Sequence, residues 1–387
     1  MRLGVYVQVP FCQTKCTYCN FQTGVFSSGL YAPYVDAVCR EIAEHPRLLQ
    51  RCEIVEVPEA VVDTVYFGGG TPSLFDPGGL RRVLEAIRAG FDAKFEEVTL
   101  EADPETITPA KAAAWRDAGF DRISMGVQSF ADPELKAAGR MHRREDIYNA
   151  SRFLRDSGFR NISFDLIAGL PHQTDESWDE SARQLLALRP EHVSIYMMEI
   201  DEGSRLGREV LHGGTRYSAS ALPSDDSMAD FYERACERLP AAGYEHYEIS
   251  NWALPGFQSR HNLKYWRREP YFGFGAGAHS FNGTERWANV HDPASYTAAI
   301  GQGRFPVEQL EAVTRSQALE EELFLGLRQL EGIDLARIES KYGASLRPRV
   351  EELRTQGLLE WHGTRLCLAP DRLTVSNEVF VSLLAGC

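Results

Sequence analysis

Through the first two thirds of the chain, short β-branched runs alternate with longer amphipathic stretches, and no other feature restricts the fold as tightly. The strand candidates are Leu3–Val9, Val62–Phe67, Glu97–Glu101, Arg122–Val127, Asn161–Leu166 and His192–Tyr196. Helix candidates fall near Tyr31–Glu44, Gly78–Ala89, Pro109–Ala118, Arg144–Ser157 and Asp175–Ala187. In the second of these, Leu80, Val83, Leu84 and Ile87 recur at helical spacing, opposite Arg81, Arg82, Glu85 and Arg88. Thr108 before Pro109 is an N-cap followed by a first-turn proline. Strands alternating with helices imply βαβ units and a parallel sheet, which gathers ligands at the carboxyl ends of its strands. The chemically interesting residues fall at those ends, so one site can collect them.

The remainder of the chain changes character. Leu206 to Asp226 reads as loop, with Gly213-Gly214 and Pro223, and a polar aromatic stretch runs from Tyr244 to Trp287. Gly301–Pro306 reads as a linker. Thr314–Arg328, Asp334–Tyr342 and Leu346–Gln356 then read as helices, and Leu358–Leu368 as a hairpin, the layout of a small winged-helix-like module. The expected division is residues 1–240, 241–305 and 306–387. A formal net charge of −14 argues against broad nucleic-acid binding through phosphate neutralisation. The N-terminus lacks the apolar core of a secretory signal, and no stretch approaches the roughly 18 apolar residues of a membrane span. A cytoplasmic location is expected.

Three of the eight cysteines crowd together, in Pro10-Phe11-Cys12-Gln13-Thr14-Lys15-Cys16-Thr17-Tyr18-Cys19-Asn20-Phe21. Cys39, Cys52, Cys236, Cys367 and Cys387 are scattered and read as small core residues or incidental thiols. Crowded thiolates in a chain too large to need disulfide staples point to zinc or an iron–sulfur cluster. A zinc site usually closes with four protein ligands. Here no His precedes His45 and no further Cys precedes Cys39. Three thiolates on a four-iron, four-sulfide cube would leave one iron open to an external ligand, as S-adenosylmethionine (SAM) chemistry requires. Phe11, Tyr18 and Phe21 are expected to shield such a cluster.

Tyr66-Phe67-Gly68-Gly69-Gly70-Thr71-Pro72 follows a strand, and glycines let the backbone approach a small ligand closely. Glu101 ends a strand in Thr99-Leu100-Glu101-Ala102-Asp103-Pro104. Gln128, in Gly126-Val127-Gln128-Ser129-Phe130, and Asp165, in Ser163-Phe164-Asp165-Leu166-Ile167, close apolar runs and need partners if buried. Arg140 can pair a carboxylate bidentately.

Together, the cysteine motif, the Gly-Gly-Gly-Thr-Pro loop, the Gly-Val-Gln-Ser-Phe segment and Asp165–Pro171 resemble the oxygen-independent coproporphyrinogen oxidase branch of the radical SAM enzymes. The resemblance implies an α/β fold, a partial (β/α)6 radical SAM barrel with a small C-terminal α+β winged-helix-like module. It further implies a 4Fe–4S cluster on Cys12, Cys16 and Cys19. SAM would contact Tyr6, Gly68, Gly69, Gly70, Thr71, Glu101, Gln128, Arg140, Asp165 and Ile167, with Glu101 and Arg140 addressing its charged amino-acid end.

Within that branch the chain is more similar to the haem chaperones of the HemW type than to the oxidases. The oxidases add a fourth cysteine two residues after the third, where Phe21 stands here, and carry an extra N-terminal segment. His261-Asn262-Leu263-Lys264-Tyr265-Trp266 matches the chaperones' HNxxYW motif, which implies haem on His261 with Tyr265 and Trp266 against the porphyrin. Phe272–Ser280, with His279 as a second candidate ligand, and Asn377-Glu378-Val379-Phe380 also resemble that group. Gln8 and Asn20 depart from it, where the family usually has His and Asp. The implied partners are haem and an apo-haemoprotein acceptor, with peripheral contact to membrane respiratory proteins and a monomeric or homodimeric state. Decarboxylation of coproporphyrinogen III is the alternative activity.

Overall fold

A computed structural model describes residues 1–384 apart from positions 56 and 58, so Cys387 lies outside the described residues. The βα pairs form for local reasons. Helix starts carry their caps: Asp76 accepts from the Gly79 amide at 3.3 Å and Thr108 from the Lys111 amide at 3.2 Å. The strands are β1 (Arg2–Val9), β2 (Val61–Gly69), β3 (Asp92–Ala102), β4 (Arg122–Gln128), β5 (Ile162–Ala168) and β6 (His192–Met197). They stand side by side in chain order, all parallel, which is the arrangement of a partial (β/α)6 barrel. The helices between them include α1 (Tyr31–Arg51), α2 (Pro77–Gly90), α3 (Pro109–Ala118), α4 (Arg144–Asp156) and α5 (Asp175–Leu188).

The two faces of this sheet differ. Val5, Val7, Phe67, Leu100, Ile123, Met125 and Phe164 are at most 2% exposed and join one core with Leu80, Val83 and Leu84 of α2. Alternate positions point the other way and are polar: Glu101 pairs across the ladders with Ser124, Ser124 with Ser163, and Ser163 with His192. A parallel sheet covered on both faces carries apolar residues on both. Polar side chains along one face mark that face as the wall of a cavity.

Residues after β6 extend the sheet to twelve strands, at both edges. On one side, Asn251–Ala253 pairs antiparallel with β6 and then with Glu245–Glu248. On the other, Tyr271–Phe274 pairs parallel with β1 and is followed by His279–Phe281, Glu285–Asn289 and Val307–Ala312. The tail carries helices Arg315–Leu327, Leu335–Tyr342 and Arg347–Thr355, a hairpin of Leu359–His362 with Arg365–Leu368, and a last helix at Ser376–Leu384. No helix among the described residues is long and apolar enough to cross a membrane.

Two local expectations change. Helix α1 runs past Pro46 to Arg51 because Leu48 and Leu49 are buried against the core, which outweighs the proline. The stretch read as loop contains a helix at Arg205–Leu211, started by Ser204 accepting from the Gly207 amide at 2.8 Å. Seven residues are too few for an apolar period to show.

Helix α1 is tied to the far strands through Glu41, buried among the Gly275 amide (2.9 Å), the Asn289 side-chain amide (2.6 Å) and the Tyr296 hydroxyl (2.5 Å). Burial pushes its carboxyl up to about 7 despite those donors. Two outcomes follow from this packing. Leu100→Ala is expected to cost about 2–5 kcal/mol in urea unfolding, and a loss below about 0.5 kcal/mol would contradict the assigned core. The folded chain holds a proton on Glu41 that the unfolded chain releases above about 4.5, so this stabilisation is lost as pH rises toward 7. Measured against Glu41→Gln, wild-type stability should therefore fall by on the order of 3 kcal/mol across that window and level off above it. A pH-independent difference would contradict the assignment.

Candidate functional site

The cysteine loop leaves β1 at Val9 and is held down by backbone bonds. Gly70 donates to Val9 O at 2.7 Å, Thr71 to Phe11 O at 2.8 Å and Thr17 to Ala138 O at 2.9 Å. From the other side Leu206 donates to Thr17 O at 2.8 Å, and Arg205 bonds Lys15 O. The approach is so close that a Cβ on Gly70 would lie 2.6 Å from Phe11 O and 3.0 Å from Cys12 Sγ. Phe11 is fully buried, with the rings of Tyr31, Tyr34, Phe26 and Phe75 4.9–5.5 Å away. Tyr18 packs on Ala138, Ile167 and Leu170. Phe21, expected to shield the cysteines, is instead 66% exposed at the rim, because the chain turns outward after Cys19.

Cys12, Cys16 and Cys19 line one cavity of about 730 Å³ at the carboxyl ends of the parallel strands. All three thiols are free, as are Cys39, Cys52, Cys236 and Cys367. Burial pushes the thiols of Cys12 and Cys16 up, while the Arg140 guanidinium, 3.6 Å from Cys16 Sγ, opposes that for Cys16. Among the described residues no group of three or more His, Cys, Asp or Glu converges to hold a single metal ion. The donor set is three soft thiolates facing open space beside a backbone cradle that a Cβ would fill, and it fits an iron–sulfur cluster with a small ligand beside it.

Of the residues expected around SAM, Gly69, Gly70, Thr71, Glu101, Gln128, Arg140, Asp165 and Ile167 line this cavity. Tyr6 and Gly68 lie just behind the wall, Tyr6 stacked on Tyr66 at 5.9 Å and Gly68 beneath both tyrosines and Glu101. Glu101 accepts from the Tyr66 hydroxyl at 2.8 Å and the Gly69 amide at 3.0 Å. Desolvation pushes its carboxyl up to about 7, so a cation brought beside it would find a group ready to ionise. Arg140 does not stand free. It pairs with Asp103, which also accepts from Thr71 at 3.1 Å, and donates to Gly126 O at 3.0 Å. Asp165 accepts from Ser124 at 3.0 Å and Ser163 at 3.3 Å. Gln128 sits at φ 62°, a left-handed backbone that non-glycine residues adopt at a cost.

The haem candidates are placed differently. His261 is 1% exposed, with Nδ1 3.0 Å from Thr64 Oγ1 and Nε2 2.9 Å from the Tyr265 hydroxyl, and its ring stacks on Tyr66 at 5.2 Å. In this conformation both ring nitrogens are engaged, and burial lowers its pKa to about 3, which keeps the imidazole neutral. Trp266 lies under the Arg328 guanidinium, 4.5 Å from its ring centroid. Asn262 is the motif residue that reaches the cavity wall. His279 is exposed on an outer strand and does not line the cavity.

Reading single motifs missed Asp103, Arg122, Ser124, His192, Ser194 and Arg328, all of which line the cavity. All but Arg328 carried a signal, since polar residues alternate with apolar ones in Arg122-Ile123-Ser124-Met125 and His192-Val193-Ser194-Ile195, and Asp103 sits two positions after Glu101.

Residues 6–185 match the Radical SAM superfamily and residues 313–371 the HemN C-terminal domain. The heme chaperone HemW of Bacillus subtilis is 33% identical over 98% of this chain and 99% of its own. That of Mycobacterium tuberculosis is 35% identical over 98% and 94%, and that of Escherichia coli 34% identical over 72% and 69%. The solved coproporphyrinogen III oxidase (HemN) of Escherichia coli, a radical SAM enzyme, superposes with a TM-score of 0.81 at 22% identity, covering 100% of this chain and 90% of that one. A relation at a third identity from end to end, on a fold shared with a radical SAM enzyme, makes this chain a member of the HemW family of the radical SAM superfamily.

Proposed function

We propose that this chain binds haem and passes it to an apo-haemoprotein, carrying a 4Fe–4S cluster on Cys12, Cys16 and Cys19 with SAM beside it. The end-to-end likeness to proteins named heme chaperones carries the reading. When bound and reduced, the cluster would supply the electron that cleaves the SAM sulfonium. The chain's own residues do the holding. Gly69, Gly70 and Thr71 give the ligand backbone contact, Glu101 takes a positive charge, and the Asp165 carboxylate takes hydroxyl donors. Tyr18 lines the cavity beside the three cysteines. Such a cluster suits a reducing compartment, and a cytoplasmic location goes with that reading.

Haem would occupy the part of the cavity away from the cysteines, beside Asn262, Ile249 and Ser250. His261 reaches iron only after its ring leaves Tyr265, so ligation by His261 goes with a rearranged Arg260–Trp266 helix. The likeness to a solved oxidase keeps decarboxylation of coproporphyrinogen III as the second reading.

A haem titration run beside a turnover assay separates the two. The chaperone reading expects saturable haem binding and no protoporphyrinogen IX from coproporphyrinogen III, SAM and a reductant under anaerobic conditions. Robust protoporphyrinogen IX formation would overturn it. If His261 ligates iron, His261→Ala should weaken haem binding about tenfold or more; undiminished affinity would remove His261 from the haem site.

A further inference from the structure

Two guanidinium groups at the inner end of the cavity have no assigned task. Arg122 opens β4, paired across the ladder with Thr99, and is 2% exposed while lining the cavity. Its Nη1 donates to Asn161 Oδ1 at 2.8 Å and Phe257 O at 3.1 Å. No carboxylate among the described residues forms an ion pair with it, although Asp121 and Asp165 feel its charge. Arg328, at the end of helix Arg315–Leu327, lines the same cavity. Its Nη2 stands 3.8 Å from Glu248 Oε2, at the outer limit of an ion pair, and its Nε is buried without a hydrogen-bond partner. Tyr247 links the two: Leu330 donates to Tyr247 O at 3.1 Å and Ile249 to Arg328 O at 3.0 Å, while the Tyr247 hydroxyl accepts from the Ser259 amide at 3.3 Å, two residues after the Phe257 carbonyl that Arg122 bonds.

Glu248 is the carboxylate that pairs with Arg328, and no carboxylate among the described residues pairs with Arg122. His192 spans Ser163 and Tyr247, 2.8 Å from each, and burial keeps its imidazole uncharged. Asp165 is held by serine hydroxyls, and burial raises its carboxyl. Ser250, Ser259 and Asn262 add neutral polar groups. Arg122, buried at 2% exposure without a counter-ion, is costly unless an anion arrives to pair with it, and Arg328 keeps an unpartnered Nε beside a single carboxylate. Ile249 supplies apolar wall beside them, and Ile167 and Met197 supply it toward the cysteine end. The space therefore suits a ligand with an apolar body and two carboxylates.

We propose that Arg122 and Arg328 form an anion subsite that receives the two propionates of a tetrapyrrole. The proposal rests on the haem reading above and adds the orientation of the bound molecule, carboxylates inward and away from Glu101 and Asp103. Guanidinium–carboxylate pairs are charge-assisted and directional, so esterifying the propionates removes the interaction without changing the macrocycle.

The test is an absorbance titration of the full-length, cluster-loaded protein with haem and with haem dimethyl ester. Haem should bind about tenfold or more tightly than the ester. Arg328→Gln should lower haem affinity by a similar factor and leave ester affinity unchanged, and Arg328→Lys should restore part of the loss. The comparison of ligands on the unaltered protein stands even if an Arg122 variant fails to fold. Equal affinity for haem and ester would overturn the subsite while the haem reading survives. No binding of either would overturn both.

Discussion

Backbone hydrogen bonds from Gly70 to Val9 and from Thr71 to Phe11 hold the cysteine loop across the carboxyl end of β2, and the rest of the site is arranged around that junction. They exist because Gly70 has no side chain where Phe11 O and Cys12 Sγ come closest. With the loop so placed, the thiols share a wall with Glu101, Asp103 and Arg140, residues that lie 80 to 130 positions further along the chain. A parallel sheet makes this possible by delivering every strand end to the same rim. A β-carbon at residue 70 would push the cysteine loop away from that rim.

The same sheet answers two demands with one period. In β3 to β6, Val98, Leu100, Ile123, Met125, Phe164 and Val193 pack in the core, while Glu101, Ser124, Gln128, Asp165, His192 and Ser194 line the cavity. Hydrogen bonds between neighbouring strands then organise the interior: Ser124 and Ser163 serve Asp165, Ser163 also serves His192, and His192 serves Tyr247. A buried polar row of this kind is stable only when each member has a partner. Arg328, whose Nε lacks a partner, and Arg122, which has no carboxylate paired with it among the described residues, are therefore the informative exceptions.

Much of this was legible from residues alone. The six parallel strands, the cysteine spacing and the glycine loop followed from period, crowding and position. Strand alternation could also have flagged Arg122, Ser124 and His192, yet each looks ordinary until the sheet register sets it beside Asp165. His261 shows the opposite case. Its motif suggested an open ligand, while the fold buries the ring between Thr64, Tyr66 and Tyr265, contacts separated by up to 197 positions that no local pattern encodes. Phe21 and the continuation of α1 past Pro46 likewise depend on tertiary packing, which local rules do not see.

The proposed function depends on three thiolates leaving a metal position for an outside ligand. Electron paramagnetic resonance of the anaerobically reconstituted, reduced protein, recorded with and without SAM, tests this most directly. The account predicts a 4Fe–4S signal that disappears when any of Cys12, Cys16 or Cys19 is replaced and that shifts when SAM is added. A signal indifferent to SAM, or a colourless protein retaining one zinc ion, would contradict it.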